Sequence, residues 1–433
     1  MRSPYVQVTP SLPPVDFGPI ASLTVTSTNY AGTLSIAAAS GVVTITNNNI
    51  AGTYQATVTA TDSCGLKATS NVTFTIPPTT TTGCPSPTFN SSINYNSNTQ
   101  PYSIATADFN GDQLQDMAVV NGGVDTVTIM MRQTDGSFIK NPTTYAVGPW
   151  ANFVMTADFN GDGKQDFAVT NKSSDLVTIF LGTGNGTFTK KGGYAIGSKS
   201  TGGAVGDFNN DGKPDLMVSN DGQGTVVLLI NNGDGSFKAP RHFGFSSFDA
   251  PQPGIVRDFN GDGNLDAAIP LLFLGQVAIM LGDGQGNFTT RYVATNLTGI
   301  GPMAAGDFNG DSRSDLIVVG GNSVAVTLLS NGNGTFVIGS SFSTQGNNVA
   351  SVTVEDYNKD GKADVAFAGY SDSEVKVFQG LGNGTFAVNS PTIINVGSHP
   401  LGLINIYSGT KPSLAVANNG SGTVSVITNG CSQ

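Results

Sequence analysis

The sequence is poor in the residues on which most enzymes depend. Its 433 residues include only two histidines, His242 and His399, and two glutamates, Glu355 and Glu374. Only 11% of the residues are charged, and neither a Gly-x-Ser-x-Gly nor a His-Glu-x-x-His motif occurs. Few free groups therefore remain for acid–base or nucleophilic catalysis, and we expect a protein that is not an enzyme.

Long hydrophobic runs are also missing. The most apolar stretch, residues 267–281, is interrupted by Pro270, Gly275 and Gln276. It is shorter than the roughly 20 residues of a membrane-spanning helix, so no transmembrane segment is expected. No apolar run follows Met1 and Arg2, which predicts that a signal peptide is not part of this sequence. We expect the numbering to begin inside a longer precursor or at a cloning start.

A nine-residue acidic segment is present six times, with starts 49 to 51 residues apart. Each copy has Asp, Asn, Asp and Asp at positions 1, 3, 5 and 9, and mostly Gly at positions 4 and 6. The residues at these four positions are Asp108, Asn110, Asp112, Asp116; Asp158, Asn160, Asp162, Asp166; Asp207, Asn209, Asp211, Asp215; Asp258, Asn260, Asp262, Asp266; Asp307, Asn309, Asp311, Asp315; and Asp356, Asn358, Asp360, Asp364.

Oxygen side chains at alternate positions of a tight loop are suited to Ca²⁺, which takes about 6–8 oxygen ligands. Small residues between them permit the turn, and we expect the position-7 carbonyl to join the ligands. An EF-hand requires Glu at position 12, and a dockerin-type loop fails on the same position. Ordinary Asx-rich turns remain the alternative to about six structural Ca²⁺ ions. Position 12 is apolar in all six copies: Val119, Val169, Val218, Ile269, Val318 and Phe367.

The formal net charge of −11 has a local source. The six segments hold 18 of the 30 acidic residues, and six divalent cations would bring the chain close to neutrality. The acidity is therefore typical of metal-site chemistry, and it argues against a nucleic-acid partner.

Residues 1–77 lack the repeat. Alternating β-branched segments at 23–26, 42–46, 53–60 and 71–76 predict a small β-sandwich. The segments 51–62 and 65–70 resemble the Ig-like and cadherin-like modules of bacterial secreted proteins. Residues 78–83, rich in Thr, predict a short semi-extended linker.

Residues 84–433 correspond to seven units of about 50 residues. In the second of these repeats, strands are predicted at 153–157, 167–170 and 177–181, and a Gly turn leads into a fourth strand at Phe188. Four strands per unit at this period predict an all-β fold, a seven-bladed β-propeller of four-stranded blades. The small Ig-like β-sandwich would precede it.

The repeated Asp-Phe-Asn-Gly-Asp-Gly-x-x-Asp pattern resembles the FG-GAP/VCBS repeats of integrin-α-type propellers, over about residues 84–433. The resemblance implies Ca²⁺ ligands at positions 1, 3, 5 and 9, and a ligand-binding face formed by loops.

The seventh copy departs from this pattern. Counting 49 residues from Asp356 places the ligand positions at Asn405, Tyr407, Gly409 and Ser413. No carboxylate remains there, so no cation is predicted.

The seventh copy also ends early, at Cys431, and residues 88–95 match the strand that it lacks. We therefore predict that the N-terminal strand completes the last blade and that Cys84 and Cys431 form a disulfide. In the loop model this crosslink contributes roughly 5 kcal/mol before strain, and it implies an oxidising compartment. Cys64 would be a buried thiol or would pair with a cysteine further upstream.

Propeller connectivity predicts that the acidic loops and the Gly turns share one face. The opposite face then carries the blade-to-blade loops, whose candidate ligand-binding residues are Trp150, Phe153, Phe245, Phe248 and His399. Trp150 has an alternative interpretation, which we favour: packing between blades or in the channel mouth.

The leading hypothesis is a secreted or cell-surface adhesion module, stabilised by Ca²⁺, that binds an extracellular protein or glycan. The second is a structural subunit of an extracellular layer or fibre, in contact with copies of itself. The third is a Ca²⁺-dependent polysaccharide lyase that uses a Lys or Arg base.

Overall fold

Antiparallel strands form nearly all of the regular structure in the computed structural model, which describes residues 20–26, 33–36, 43–46, 52–62, 67–76, 83–245, 249–346 and 348–431. Abundant Val, Ile and Thr favour this extended backbone. One 3₁₀ turn, Asp221–Gln223, is the helical element of these residues, and none of their helices could cross a membrane. The chain divides into two units, Met1–Thr81 and Thr82–Gln433.

The first unit contains five strands: β1 (Ile20–Thr26), β2 (Thr33–Ile36), β3 (Val43–Thr46), β4 (Gly52–Asp62) and β5 (Lys67–Ile76). They form two small antiparallel sheets, ordered β1-β4-β5 and β2-β3. On β4, the alternating residues Ala56, Val58 and Ala60 are buried, the period-2 pattern of a strand with one covered face. The β2 strand was not predicted from the sequence, and Cys64 lies outside the described residues.

The described residues of the second unit form seven four-stranded antiparallel sheets. Six of these sheets are built from four consecutive strands. The first three comprise β7 (Pro101–Ala107), β8 (Asp116–Asn121), β9 (Thr126–Arg132) and β10 (Phe138–Ala146); β11 (Ala151–Ala157), β12 (Asp166–Asn171), β13 (Leu176–Gly182) and β14 (Phe188–Ala195); and β15 (Ser200–Gly206), β16 (Asp215–Asn220), β17 (Thr225–Leu229) and β18 (Arg241–Gly244).

The next three sheets follow the same order. They comprise β19 (Ile255–Arg257), β20 (Asp266–Leu271), β21 (Gln276–Gly282) and β22 (Phe288–Ala294); β23 (Met303–Gly306), β24 (Asp315–Val319), β25 (Val324–Ser330) and β26 (Phe336–Ser343); and β27 (Val349–Glu355), β28 (Asp364–Gly369), β29 (Glu374–Phe378) and β30 (Thr392–Asn395).

The hydrophobic core lies between neighbouring sheets. The second strand of each of the first six sheets is buried along its whole length, because both of its faces are covered. In five of the six acidic loops, the aromatic at position 2 meets the Phe that follows the Gly turn of the next sheet, as Phe109 meets Phe188 edge-on at 5.2 Å. The corresponding pairs are Phe159–Phe237, Phe208–Phe288, Phe259–Phe336 and Phe308–Phe386. In the sixth loop, Tyr357 meets Phe89 at 5.5 Å.

The seventh sheet joins the two ends of the unit. Its order is β31-β32-β33-β6, where β31 is Pro400–Ser408, β32 is Lys411–Asn418, β33 is Thr423–Ile427 and β6 is Ile93–Asn96. The first strands of successive sheets lie beside one another, and β31 also contacts β7. The repeated sheets therefore have the arrangement of a β-propeller.

A covalent bond lies at the same junction. The predicted disulfide between Cys84 and Cys431 is present, with Cα atoms 5.8 Å apart. Phe89, which precedes β6, forms an isolated antiparallel bridge with Asn429, which follows β33. The backbone N–H of Cys84 also donates to the carbonyl of Asn358, at 2.8 Å, so the crosslink sits against the sixth acidic loop.

The register that we counted for the seventh copy is wrong. Ile406 pairs with Ser413, as Ala107 pairs with Asp116 in the first sheet. Position 1 is therefore Tyr407, and Asn405 lies within β31. The loop is two residues shorter than the others, which a constant repeat length could not reveal. The absence of a carboxylate from positions 407–413 is unchanged by this correction.

Candidate functional site

The six acidic loops connect the first and second strands of their sheets, and each is held by backbone N–H groups. In the first loop, Asp108 Oδ1 accepts from the Gly111 N–H at 2.7 Å, and its Oδ2 accepts from the Gln113 N–H at 2.7 Å. Gly111 and Gln113 have φ of 79° and 68°. Positions 4 and 6 thus require left-handed backbone, which explains why most of the copies have Gly there.

The position-9 aspartates tie each loop to its sheet. All six are fully buried. In every copy one carboxylate oxygen accepts the N–H of position 2, and the other accepts an N–H at the end of the third strand, at 2.7 to 3.0 Å. In the first loop the two donors are Phe109 and Arg132. One side chain therefore fixes both ends of the turn.

Burial raises the pKa of these carboxyl groups. The pKa is about 6 for Asp116, Asp166 and Asp215 and about 7 for Asp364. The backbone N–H donors lower the pKa, and the negative charges at positions 1 and 5 raise it further. Each loop thus places two further carboxylates around a buried one, and a divalent cation would offset their repulsion.

The donor set fits a hard cation, with three carboxylates and one amide oxygen in nine residues. Within the described ranges, no three His, Cys, Asp or Glu side chains are grouped closely enough to hold a metal ion as they stand. The carboxylates instead accept hydrogen bonds from backbone N–H groups. A carboxylate oxygen has more than one lone pair, so an N–H and a cation can share it. The loops are therefore Asx turns whose side-chain oxygens could hold Ca²⁺.

The turns between the third and fourth strands share the face of the acidic loops. The N–H of Gly186 donates to the Phe109 carbonyl of the preceding sheet's loop at 2.9 Å. Four equivalent bonds, at 2.7 to 3.0 Å, link successive sheets in the same way. Neighbouring sheets are therefore locked together on this side. The four bonds join Gly235 to Phe159, Gly286 to Phe208, Gly334 to Phe259 and Gly384 to Phe308.

The opposite face carries a ring of seven equivalent left-handed positions, which we name the crown residues. Each lies just ahead of the first strand of its sheet, with φ between 44° and 62°. Six of their carbonyls accept an N–H from the adjacent turn between strands two and three, at 2.9 to 3.3 Å. The backbone is thus the same at each position while the side chain differs. The crown residues are Gln100, Trp150, Lys199, Ala250, Gly299, Asn348 and His399.

Two of the sequence-predicted ligand-face residues are crown residues. Trp150 is 63% exposed, and its N–H donates to Asp125 Oδ1 at 2.7 Å. The interpretation that Trp150 packs in the channel mouth or between blades is therefore wrong, since most of its side chain is in contact with solvent. His399 is also exposed, and its ring stacks on Tyr370, with centroids 4.7 Å apart.

The predicted phenylalanines differ from these two residues. Phe153 is half-buried against the core between the second and third sheets, and Phe245 is half-buried against the next core. Their side chains complete hydrophobic clusters, and their part in ligand binding stays a prediction. Phe248 lies outside the described residues. Phe153 also borders an axial cavity of about 400 Å³ among the first strands.

Sequence reasoning missed the apolar turn between β20 and β21. Phe273 and Leu274 are 70% and 48% exposed there. The apolar stretch at 267–281 contained the signal, but we considered it as a possible membrane span. Most turns at this position consist of Gly, Asn, Asp and Ser, so an apolar turn could have been noted.

Comparison with known families gives a match over four segments, of which the first three overlap. The model of the FG-GAP-like repeat matches residues 108–169, 158–218, 207–269 and 307–367, which is just over half of the chain. No curated protein matches the chain significantly.

Solved structures resemble the chain in fold. BBS1N, solved in complex with ARL6DN, has a TM-score of 0.58 at 11% identity, covering 80% of this chain and 98% of that chain. A protein from Lactobacillus plantarum has a TM-score of 0.54 at 14% identity, covering 82% and 98%. The periplasmic gluconolactonase PpgL of Pseudomonas aeruginosa has a TM-score of 0.54 at 15% identity, covering 79% and 93%. These likenesses support the β-propeller fold and no more.

Proposed function

The chain belongs to the FG-GAP-like repeat family, and we propose that it is a seven-bladed, Ca²⁺-stabilised propeller that binds an extracellular protein or glycan. In this proposal an Ig-like module precedes an integrin-α-type propeller. About six Ca²⁺ ions, one for each acidic loop, have a structural role, and the crown face binds the ligand.

The observation that carries the proposal is the difference between the two faces. The acidic loops repeat one hydrogen-bond pattern, as is expected of loops with a structural role. The crown residues share one backbone conformation but carry seven different side chains. Varied side chains on a rigid, repeated scaffold are typical of recognition surfaces. Trp150, large and exposed, is the strongest candidate for an anchor.

An extracellular location is supported by the Cys84–Cys431 disulfide, since structural disulfides persist in oxidising compartments. Extracellular fluids also supply Ca²⁺ to weak sites. When bound, the cation would neutralise carboxylate repulsion in each loop. The chain's own contribution is the set of N–H donors that pre-orient the carboxylates, together with the buried position-9 aspartate.

Trp150 makes the proposal directly testable because it is the only tryptophan in the sequence. We would screen the full chain, in Ca²⁺, against a glycan array and a panel of extracellular matrix proteins, and then titrate each hit by Trp fluorescence. Replacement of Trp150 by Ala should weaken binding about tenfold or more, as for an interface anchor. Binding that survives replacement of Gln100, Trp150, Lys199 and Asn348 together would contradict the proposal.

A second candidate function is self-association in an extracellular layer. The exposed Phe273 and Leu274 favour it, since apolar side chains in contact with water often mark interfaces. Sedimentation velocity would show concentration-dependent association that the Phe273→Ser, Leu274→Ser variant loses. A monomer at all concentrations would rule this candidate out.

A further inference from the structure

We infer that a pocket at the junction of the first, sixth and seventh sheets is a binding site for a neutral oligosaccharide. This inference rests on the proposed function and narrows it to one place and one ligand class. The pocket, which we name the seam pocket, has a volume of about 740 Å³. That size lies within the range of small-molecule sites, roughly 300–1,000 Å³.

The polar lining of the seam pocket is almost entirely neutral. Asn96, Asn98, Gln100 and Asn419 present amides, and several hydroxyl side chains accompany them. None of the described residues that line it is acidic, so a metal ion is disfavoured. The single cation, Lys140, donates its Nζ hydrogen to the carbonyl of Ser97. Amides and hydroxyls both donate and accept, which matches the hydroxyl groups of a sugar.

One wall of the seam pocket is aromatic. The rings of Tyr370 and His399 stack at 4.7 Å with an angle of 24° between their planes. Within the described chain, neither the Tyr370 hydroxyl nor the Asn96 amide has a protein hydrogen-bond partner, so both are available to a ligand. A flat aromatic pair beside unpaired polar groups suits the apolar face and polar edge of a pyranose ring.

The walls of the seam pocket are fixed before any ligand arrives. Gln100 and His399 are both crown residues, each with φ of 54°. The N–H groups of Asn419 and Gly420 donate to the carbonyls of His399 and Ser398, each at 2.9 Å. A Cβ on Gly420 would lie 2.4 Å from His399 Nδ1. Glycine at position 420 therefore lets the imidazole lie where it does, and a preformed site binds at lower entropic cost.

The chain has only two histidines, so histidine NMR gives a direct test. We would record the imidazole carbon–proton signals of the full chain in Ca²⁺ while adding cello-, chito-, manno- or xylotetraose. A member of this neutral panel should shift the His399 signals saturably and leave those of His242 unchanged. Tyr370→Ser should weaken this binding about tenfold or more, and Gly420→Ala should weaken it as well. Tyr292→Ser is the matched control, because Tyr292 is exposed on an outer strand, and it should bind as the wild type does.

Each other outcome contradicts the inference in a distinguishable way. If a tetraose binds with a change in Trp150 fluorescence but without a His399 shift, the proposed function stands and the seam pocket is the wrong place. If gelatin-derived peptides or tetragalacturonate shift His399 and no neutral sugar does, the ligand class is wrong. If no tetraose binds by either readout, carbohydrate is excluded for this pocket, while the protein screen of the proposed function still decides that function.

Discussion

The six acidic loops and the seventh loop make the same connection with different chemistry. In the sixth loop, the carboxylate of Asp364 accepts the N–H groups of Tyr357 and Gly380. In the seventh, the hydroxyl oxygen of Ser413 accepts the Asn429 N–H at 3.0 Å. The Asn429 amide adds bonds to the Tyr357 and Pro412 carbonyls. A neutral side chain therefore suffices to anchor the turn.

This difference separates what the fold requires from what the sequence adds. The seventh sheet forms without any of the three carboxylates that its neighbours carry. Those carboxylates repel one another, and this repulsion adds to the larger effect of burial in raising the pKa of Asp116. Their repeated presence in six loops is thus unexplained by the turn, and the proposed Ca²⁺ ions account for it.

Removal of Ca²⁺ should have the largest effect on stability. We expect EDTA to lower the melting temperature by about 10 °C or more, since one site at a hundredfold excess over Kd contributes about 2.7 kcal/mol and six act together. Calorimetry with metal counting should find about six Ca²⁺ per chain, and excess Ca²⁺ should restore the transition. An unchanged melting temperature and no bound metal would mean that all seven loops are plain Asx turns.

The disulfide should matter next, because it secures the one sheet without an acidic loop. Cys84→Ser with Cys431→Ser should cost about 2–5 kcal/mol of unfolding free energy, measured by guanidinium denaturation in excess Ca²⁺. Cys64→Ser is the matched control and should not change the denaturation midpoint. Equal stability of the double variant would show that strand pairing alone closes the ring.

Removal of one carboxylate from a single loop should have a smaller effect on stability. Asp158→Asn keeps an acceptor for the Gly161 N–H but removes a charge. We expect one fewer Ca²⁺ per chain and a loss of about 1–3 kcal/mol in excess Ca²⁺, but little loss in EDTA, where the repulsion is relieved. Unfolding measured in both conditions distinguishes this pattern.

Ser413→Ala is its counterpart in the seventh loop. It should cost about 1 kcal/mol for a lost hydrogen bond, equally with and without Ca²⁺, and leave the metal count unchanged. A dependence of this cost on Ca²⁺ would place a cation where we propose none.

The pH dependence of stability tests the same carboxylates without any substitution. Burial raises the pKa of Asp364 to about 7 and that of Asp116, Asp166 and Asp215 to about 6. The folded state therefore binds more protons than the unfolded state between pH 3.8, the ordinary pKa, and about 7. Without Ca²⁺, stability should fall as the pH rises through this window. Bound Ca²⁺ should abolish or reverse this trend, as melting temperatures at pH 5 and 7 would show.

Much of the repeat could be predicted because its signals are local. Asp and Gly at fixed spacing define each acidic loop, and the period-2 runs define the strands around it. The cysteine count and the missing last strand together located the disulfide. Each of these inferences required only the order of residues along the chain.

Our predictions failed where contacts between distant parts of the chain determine the structure. The two-residue deletion before Ser413 shifted our count, because only strand pairing fixes the register. Trp150 has a left-handed backbone that a Trp rarely adopts, and neither this conformation nor the exposure of the ring could be predicted from the neighbouring residues. The seam pocket joins residues more than 300 positions apart, such as Asn96 and His399, and no local pattern can reveal that proximity.

The position of the crosslink has a mechanical consequence. Cys84 and Cys431 bring the first and last described segments of the second unit to within 5.8 Å between Cα atoms. Tension between the residues before Cys84 and those after Cys431 would pass across a covalent bond and bypass all seven sheets. A tethered chain could then bear a pulling force without unzipping strand by strand, and its recognition surface would keep its shape under load.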